Sequence, residues 1–164
     1  MKALIFAAGL GTRLKPLTDT MPKAMVPVQG EPLLAHVLRK LKQAGCKEAV
    51  VNVHHFADQI CDYLATHDFG VPVSISDERD ELLETGGGIK KAAHLLGSSE
   101  PFLVHNVDIL SNLDLAAFYA LHKPERLATL LVSERETQRY LLFNAENRLV
   151  GWTNIKTGEV KSPY

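Results

Sequence analysis

Hydrophobic positions follow two different spacings along the first 120 residues of the chain. Short apolar runs of the kind found in buried strands alternate with segments whose apolar residues recur every three or four positions, as on one face of a helix. The runs predict strands at residues 2–8, 49–53, 71–76 and 101–105. The helical spacing predicts helices at residues 32–44, 57–64, 84–96 and 113–121. Regular alternation of the two predicts an α/β fold with a largely parallel sheet.

Two of these helices have the most explicit pattern. At residues 32–44, Pro32 suits the first turn and Gly45 suits the end. The apolar face of that helix is formed by Leu34, Val37, Leu38 and Leu41. The helix that opens at residues 84–88 stops at Gly97. Its expected inward-facing residues are Ile89, Ala92, Ala93 and Leu96.

The last third of the chain has a different pattern. Residues 127–133, 140–143 and 148–152 are apolar or alternate, and a turn-like segment lies at residues 144–147. This arrangement is typical of a hairpin and not of another strand–helix–strand unit. We therefore expect a mostly parallel mixed sheet flanked by helices, followed by a C-terminal β-hairpin.

Composition narrows the class of protein without identifying a function. The 164 residues are 46% hydrophobic and 23% charged, so residues 1–164 are predicted to form one globular domain. A net charge of −1 provides no general attraction to a nucleic acid polymer or to an anionic membrane. No apolar run has the length of a membrane span, and the apolar start is too short for a signal peptide. Cys46 and Cys61 lack a disulfide or metal-binding pattern, so a cytoplasmic protein with free thiols is expected.

The segment after the first strand has the composition of a phosphate-binding loop. Gly9 and Gly11 follow the strand directly, and residues without a Cβ let backbone N–H groups approach an anion. Arg13 can add a planar charged fork, and Lys23 can add a compact point charge. Leu14 occupies the place of the third glycine in a dinucleotide-binding fingerprint, and the sequence has no P-loop pattern. A polyphosphate site of another kind is therefore expected.

Three further segments contain candidate functional residues. Asp108 follows the strand at residues 101–105, at the edge of an open α/β sheet where ligands bind. The glycine run at residues 84–88 suits either a flexible turn or close approach of a flat ring. His54 and His55 are adjacent, so their side chains point to opposite sides, and both are interpreted as structural.

Residues 9–18 and 22–28, GLGTRLKPLT and PKAMVPV, resemble the signature of sugar-phosphate nucleotidyltransferases, the nucleoside-diphosphate-sugar pyrophosphorylases. The ten-residue step from Arg13 to Lys23 separates this family from molybdopterin nucleotidyltransferases and isoprenoid cytidylyltransferases. The resemblance implies a Rossmann-like nucleotidyltransferase fold. It also implies transfer of a nucleoside monophosphate from a nucleoside triphosphate to a sugar 1-phosphate, with release of pyrophosphate. Within the family, the chain is most similar to N-acetylmuramate 1-phosphate uridylyltransferases and mannose 1-phosphate guanylyltransferases.

The resemblance further implies roles for individual residues. Arg13, Lys23 and Asp108 would be catalytic, and Asp108 would bind Mg²⁺. Asn106 and Tyr140 would approach the sugar. The residues that would bind the nucleotide are Ala8, Gly9, Gly11, Thr12, Arg13, Lys23, Thr85 and Gly86.

The chain departs from the family in two respects. The family supplies a second metal-binding carboxylate from a later strand, whereas Glu159 is the only acid after Trp152 here. Family members are also longer. The chain is therefore expected to be an N-terminal piece of the enzyme, incomplete at its C-terminus. Two alternatives stay open: a nucleotide-binding module without turnover, and a choline-phosphate cytidylyltransferase.

Overall fold

The computed structural model describes residues 1–97 and 100–163 of the chain. These residues form two compact units, Met1–Thr129 and a second unit that begins at Leu130. Among the described residues, no helix combines the length and the apolar character needed to cross a membrane.

The first unit repeats a strand–helix order. Its strands are β1 (Lys2–Phe6), β2 (Pro27–Val28), β3 (Glu31–Pro32), β4 (Glu48–Val53), β5 (Val73–Asp77) and β6 (Phe102–Asn106). Its helices are α1 (Leu33–Gln43), α2 (Ala57–Thr66), α3 (Glu84–Leu96) and α4 (Leu115–Ala120). Each predicted strand and helix of the first 120 residues is present, with ends that differ by a few residues, and the predicted α/β class is confirmed.

Four strands of this unit form one parallel sheet. The strand order is β5-β4-β1-β6, and Phe6 at the end of β1 lies between Asn52 of β4 and Asn106 of β6. The chain moves outward from β1 through β4 to β5 and then returns to the other side of β1. The reversal of direction lies between β1 and β6, and the crevice at the carboxyl ends of such strands is where open α/β sheets bind ligands.

Helices cover both faces of the sheet. On one face, Leu34 and Leu38 of α1 pack with Ile5 and neighbouring strand residues in a buried cluster. On the other face, Leu4 packs with residues of α3. The inward residues of α3 are Gly88, Ala92 and Leu96. Ala93, which the sequence placed inward, is exposed, because the buried stripe of this helix follows a four-residue step and is narrower than the pattern suggested.

The second unit is a three-stranded antiparallel sheet. Strands β7 (Arg139–Phe143), β8 (Leu149–Asn154) and β9 (Glu159–Lys161) pair in that order. The predicted hairpin is confirmed as β7 and β8, and its turn has Asn147 in the left-handed region, with φ +56°. The expectation of a strand at residues 127–133 is wrong, because the segment makes no strand pairing and Leu131 is more than half exposed. Strand β9 has no counterpart among the predicted elements, and it forms because β8 offers an edge to pair with.

Candidate functional site

The loop after β1 is held in shape by a glycine and a threonine. Gly11 has φ +67°, in the left-handed region, and a Cβ at this position would lie 2.8 Å from Thr18 Cγ2. The buried Thr18 donates a hydrogen bond from Oγ1 to the Gly11 carbonyl at 2.8 Å. The positive φ and the close approach of Thr18 Cγ2 both favour a residue without a side chain, so Gly11 is fixed by conformation and by space.

The predicted phosphate-binding residues line the exposed part of this loop. Ala8, two residues beyond β1, is buried, whereas Gly9 is exposed and has no atom within 4 Å of an added Cβ. Thr12 and Arg13 are exposed and belong to a short 3₁₀ helix, Thr12–Leu14. The loop therefore presents backbone and a guanidinium to solvent at the carboxyl end of β1.

Lys23 and Asp108 come together beside this loop. The Lys23 ammonium contacts Asp108 Oδ2, and the two side chains are 18% and 34% exposed. Asp108 lies two residues beyond β6, where the Val107 N–H donates to the Phe6 carbonyl at 3.1 Å. The sheet thus places a cation from the loop after β1 against a carboxylate from the loop after β6, at the reversal point of the strand order.

The glycine run forms the first two turns of α3. Glu84 begins the helix with φ +58°, a left-handed conformation uncommon for a residue with a side chain. Thr85 and Gly86 follow in the exposed first turn, and an added Cβ on Gly86 would meet no atom within 4 Å. Gly88 is buried. The run therefore has an open side at Gly86 and a packed side at Gly88.

Two buried polar residues that the sequence did not single out connect these segments. Asn52 is 2% exposed and Glu78 is fully buried. Asn52 Oδ1 accepts hydrogen bonds from the Ala7 and Ala8 N–H groups at 2.7 and 3.2 Å, and its Nδ2 donates to Glu78 Oε1 at 2.9 Å. The sequence contains one indication of this pair, because Asn52 interrupts the apolar run 49–53. An asparagine is unusual in a buried strand unless its side chain is hydrogen-bonded.

His105 and Asn106 occupy the end of β6. Burial lowers the pKa of His105 below its usual range, and the charge of Lys40 adds to that effect, while the hydrogen bond to the Asn106 carbonyl and the charge of Asp108 oppose it. His105 Nδ1 lies 2.7 Å from that carbonyl oxygen. The Asn106 side chain is exposed at the carboxyl end of the strand, on the same sheet edge as Lys23 and Asp108.

Tyr140 lies in β7 of the second unit. Its hydroxyl accepts a hydrogen bond from the Thr137 N–H at 3.1 Å, and the residue is 38% exposed. This contact is local to the second unit, so a role for Tyr140 in sugar binding stays a prediction.

The remaining histidines and cysteines have separate environments. His54 Nδ1 lies 2.6 Å from the Glu78 carbonyl, and the His55 ring contacts Phe56 at 4.0 Å between centroids, so the two histidines do not act together. Cys46 and Cys61 are free thiols, as predicted, and burial raises the pKa of each. A raised pKa keeps a thiol protonated and poorly nucleophilic.

The donor set fits a magnesium ion that substrate oxygens hold in large part. Within residues 1–97 and 100–163, no three His, Cys, Asp or Glu side chains form a metal-binding group. Asp108 offers one carboxylate, and that carboxylate already accepts a cationic partner in Lys23. Mg²⁺ commonly takes one or two protein carboxylates together with phosphate oxygens, so Asp108 can serve as a single protein ligand.

Comparison with known proteins identifies relatives of the chain. A family model described as nucleotidyl transferase matches residues 2–147. N-acetylmuramate alpha-1-phosphate uridylyltransferase from Caulobacter vibrioides is 42% identical over 143 residues, which is 83% of this chain and 59% of that protein. The enzyme of the same name from Neisseria meningitidis is 45% identical over 131 residues, which is 78% of this chain and 56% of that protein. The chain thus spans a little more than half the length of these relatives.

A solved structure has the same fold. The structure of HddC from Yersinia pseudotuberculosis complexed with GMP-PN is 32% identical, with a TM-score of 0.65 over 73% of this chain and 52% of that one. The match supports the predicted Rossmann-like nucleotidyltransferase fold.

Proposed function

Because the chain belongs to the nucleotidyl transferase family, we propose that it carries the nucleotide-binding part of an enzyme that transfers a nucleoside monophosphate from a nucleoside triphosphate to a sugar 1-phosphate. The products are a nucleoside-diphosphate sugar and pyrophosphate. The observation that carries the proposal is the contact between Lys23 and Asp108 beside the Gly9–Thr12 backbone. This contact joins the charged groups that phosphate chemistry requires at the ligand-binding edge of the sheet.

The reaction needs no nucleophilic side chain. An oxygen of the sugar 1-phosphate attacks the α-phosphorus of the triphosphate and forms a new P–O bond. The bond from the α-phosphorus to the oxygen that bridges to the β-phosphate breaks, and its electron pair leaves with pyrophosphate. Both reactants are anionic, so the protein accelerates the reaction by holding them together and by stabilising the charge that develops on the bridging oxygen.

The residues of the loop after β1 and of the first turn of α3 each have a role in this scheme. The backbone from Ala8 to Thr12 accommodates the triphosphate, and Arg13 neutralises charge on the departing pyrophosphate. Lys23 reaches from its position beside Asp108 toward the α-phosphate. Thr85 and Gly86 bind the nucleobase, since the open side of Gly86 leaves room for a flat ring.

Asp108 would hold Mg²⁺ together with oxygens of the substrates. When bound there, the ion would supply charge stabilisation on the phosphate groups. Asn106, which is exposed on the same edge, is the proposed sugar contact of the first unit, and Tyr140 is that of the second.

The names of the relatives suggest the first substrates to test. UTP with N-acetylmuramate 1-phosphate is the leading pair, because two relatives above 40% identity are uridylyltransferases for that sugar. GTP with mannose 1-phosphate is the second, because a mannose-1-phosphate guanyltransferase from Neurospora crassa is 37% identical over 142 residues. We further propose that residues 1–164 belong to one catalytic domain, since the family match continues past Thr129 to residue 147, and that the protein works in the cytoplasm without a nucleic acid polymer or a membrane as partner.

A second candidate is a nucleotide-binding module without turnover. It is favoured by the single carboxylate that the described residues bring to the site, Asp108, which is already paired with Lys23. Such a module would bind a nucleoside triphosphate and release no pyrophosphate.

Pyrophosphate release by the full gene product tests the proposal. ATP, CTP, GTP and UTP are each combined with a panel of sugar 1-phosphates and with phosphocholine, in the presence of Mg²⁺. The expected result is release only when a triphosphate and a sugar 1-phosphate are both present. Nucleotide binding with no release for any pair would establish the module, release with phosphocholine alone would establish a cytidylyltransferase, and absence of both binding and release would reject all three.

A further inference from the structure

A buried asparagine–glutamate pair links the loop after β1 to the start of α3. Asn52 lies at the end of β4 and Glu78 lies one residue beyond β5. The two strands are neighbours in register, with Asn52 opposite Ser76. The side chains therefore meet under the carboxyl edge of the sheet and not on its exposed surface.

Asn52 anchors the phosphate side of the site. Its Oδ1 accepts the N–H groups of Ala7 and Ala8, the two residues that precede Gly9. An amide has an acceptor on one side and donors on the other, so this arrangement turns Nδ2 toward Glu78 Oε1, at 2.9 Å.

Glu78 anchors the other side. Its second oxygen, Oε2, lies 3.3 Å from the Leu83 N–H, and that donor immediately precedes Glu84. Gly88, one turn into α3, packs against the pair, since an added Cβ would lie 3.0 Å from Glu78 Oε1 and 3.2 Å from Asn52 Nδ2. The same two side chains thus contact the backbone before the phosphate loop and the backbone on both sides of Gly86.

We infer that Asn52 and Glu78 are positioning residues that hold the phosphate loop and the Thr85–Gly86 turn at one fixed spacing. The inference rests on the proposed function, in which those segments bind opposite ends of one nucleoside triphosphate. A ligand that joins two subsites gains affinity only when their spacing matches its length. Neither residue touches the nucleotide in this arrangement; both act through the backbone that they hold.

The polarity of the pair permits a sharp test. In Asn52→Asp, the new carboxylate still accepts the Ala7 and Ala8 N–H groups but faces the carboxylate of Glu78 inside the protein. In Glu78→Gln, the carbonyl can serve Asn52 Nδ2, but the amide NH₂ then meets the Leu83 N–H, donor against donor. In the double variant Asn52→Asp/Glu78→Gln, the new amide at position 78 donates to the new carboxylate at position 52, and the carbonyl of that amide accepts the Leu83 N–H. Every hydrogen bond of the pair is then restored with the same number of carboxylates.

The experiment measures the affinities of the full gene product for UTP and for inorganic tripolyphosphate by calorimetry, with thermal unfolding in parallel. UTP spans both subsites, whereas tripolyphosphate engages the phosphate loop alone. We expect each single variant to lose about tenfold or more in UTP affinity, as for one broken buried hydrogen bond. Glu78→Gln should change tripolyphosphate affinity by less than about threefold, and Asn52→Asp, which adds a negative charge beneath the phosphate loop, should lose less tripolyphosphate affinity than UTP affinity. The double variant should recover UTP affinity to within about threefold of the parent protein.

Ser76→Ala is the matched control. The Ser76 hydroxyl is buried on the same face of the sheet beside Asn52 and makes no hydrogen bond among the described residues. Its removal changes the packing under the site without affecting the link. UTP and tripolyphosphate affinities should both stay at the parent values.

Three outcomes would overturn the inference: parallel losses for UTP and tripolyphosphate, a lower unfolding temperature with unchanged UTP affinity, or no recovery in the double variant. Where Asn52→Asp does not fold, the milder Glu78→Gln decides, and where both fail, Gly88→Ala is judged by the same contrast of the two ligands. If the parent protein binds none of the four triphosphates, the proposed function itself fails. If the parent protein binds a triphosphate and releases pyrophosphate, but the variants do not affect UTP affinity more than tripolyphosphate affinity, only the positioning role fails.

Discussion

The ammonium of Lys23 contacts the carboxylate of Asp108 across 85 residues of chain. One group follows β1 and the other follows β6, and the parallel pairing of these strands brings their carboxyl ends to one edge. Opposite charges in direct contact stabilise each other. Both groups are available to a substrate because the two side chains are partly exposed.

Removal of either charge should reduce turnover by different routes. Lys23→Met and Asp108→Asn should each lower kcat/KM by about 10²-fold or more, because preorganised charges at a phosphate site contribute that much. When EDTA removes Mg²⁺, Lys23→Met should also weaken triphosphate binding. Under the same conditions Asp108→Asn should leave the triphosphate affinity unchanged or raise it, since a negative charge is lost beside an anion. Steady-state kinetics and calorimetry of the full gene product measure both effects.

The matched controls for these variants lie away from the site. Lys47 is exposed at the opposite edge of the sheet, before β4, and Asp62 is exposed on α2. Lys47→Met and Asp62→Asn should leave the kinetics unchanged. Parent-like turnover in both Lys23→Met and Asp108→Asn would contradict the assignment of the site.

The two glycines of the loop after β1 should respond differently to alanine. Gly11→Ala places a Cβ against Thr18 in a left-handed conformation, so it should lower the free energy of unfolding by about 1–3 kcal/mol. Gly9→Ala meets no neighbouring atom and should stay within about 0.5 kcal/mol of the parent, yet weaken triphosphate binding by covering exposed backbone. Urea denaturation and calorimetry separate the two effects, and equal stability losses would show that the loop is not held as described.

Gly86→Ala should stabilise the protein and weaken nucleotide binding. Gly86 lies in the first turns of α3 with open space around its Cα, and alanine is favoured over glycine in helices by up to about 1 kcal/mol. The same methyl would occupy the space proposed for the nucleobase, so UTP affinity should fall while tripolyphosphate affinity is kept.

Gly87→Ala is the opposing variant on that helix. Its Cβ would lie 2.8 Å from Leu83 Cβ, so its unfolding temperature should fall. A Gly86→Ala protein that unfolds at a higher temperature and binds UTP as well as the parent would remove Gly86 from the base site.

Stability should decline as the pH falls through the range in which His105 titrates. Burial holds the pKa of His105 below its usual range in the folded protein, whereas the unfolded chain has an ordinary value of about 6.5. The unfolded state therefore binds the proton first, and stability present above about pH 6.5 is lost as the pH falls toward the folded pKa. Lys40 and Asp108 are the charged neighbours that influence this residue.

Urea midpoints of the parent protein between about pH 7.5 and 5.5 measure this loss. His105→Gln, which removes the titrating group, should show a smaller decline. His94→Gln, on the exposed side of α3, is the control and should decline as the parent does. An unchanged slope in His105→Gln would assign the pH dependence to other groups.

The spacing of apolar residues predicted a helix or strand well where that spacing alone determines which residues are buried. The apolar face of residues 32–44 gave the helix Leu33–Gln43 to within one residue at each end. The apolar run at residues 127–133 also has residues that favour a strand, but it forms none. A strand needs, besides suitable residues, a neighbouring strand with free hydrogen-bonding groups. Strand β9 shows the reverse case, since Glu159–Lys161 begins and ends with a charged residue and still pairs with β8.

The sequence by itself determined the order of strands and helices, the glycine-rich loop after β1 and the family to which they belong. These features depend on side-chain spacing and on conformations within a few residues, so they can be predicted from the sequence. Tertiary structure alone decided that Lys23 meets Asp108 and that Asn52 bonds to Glu78. Such contacts join residues 85 and 26 positions apart, and they depend on the register of parallel strands, which is set by the packing of the whole sheet and not by local preference.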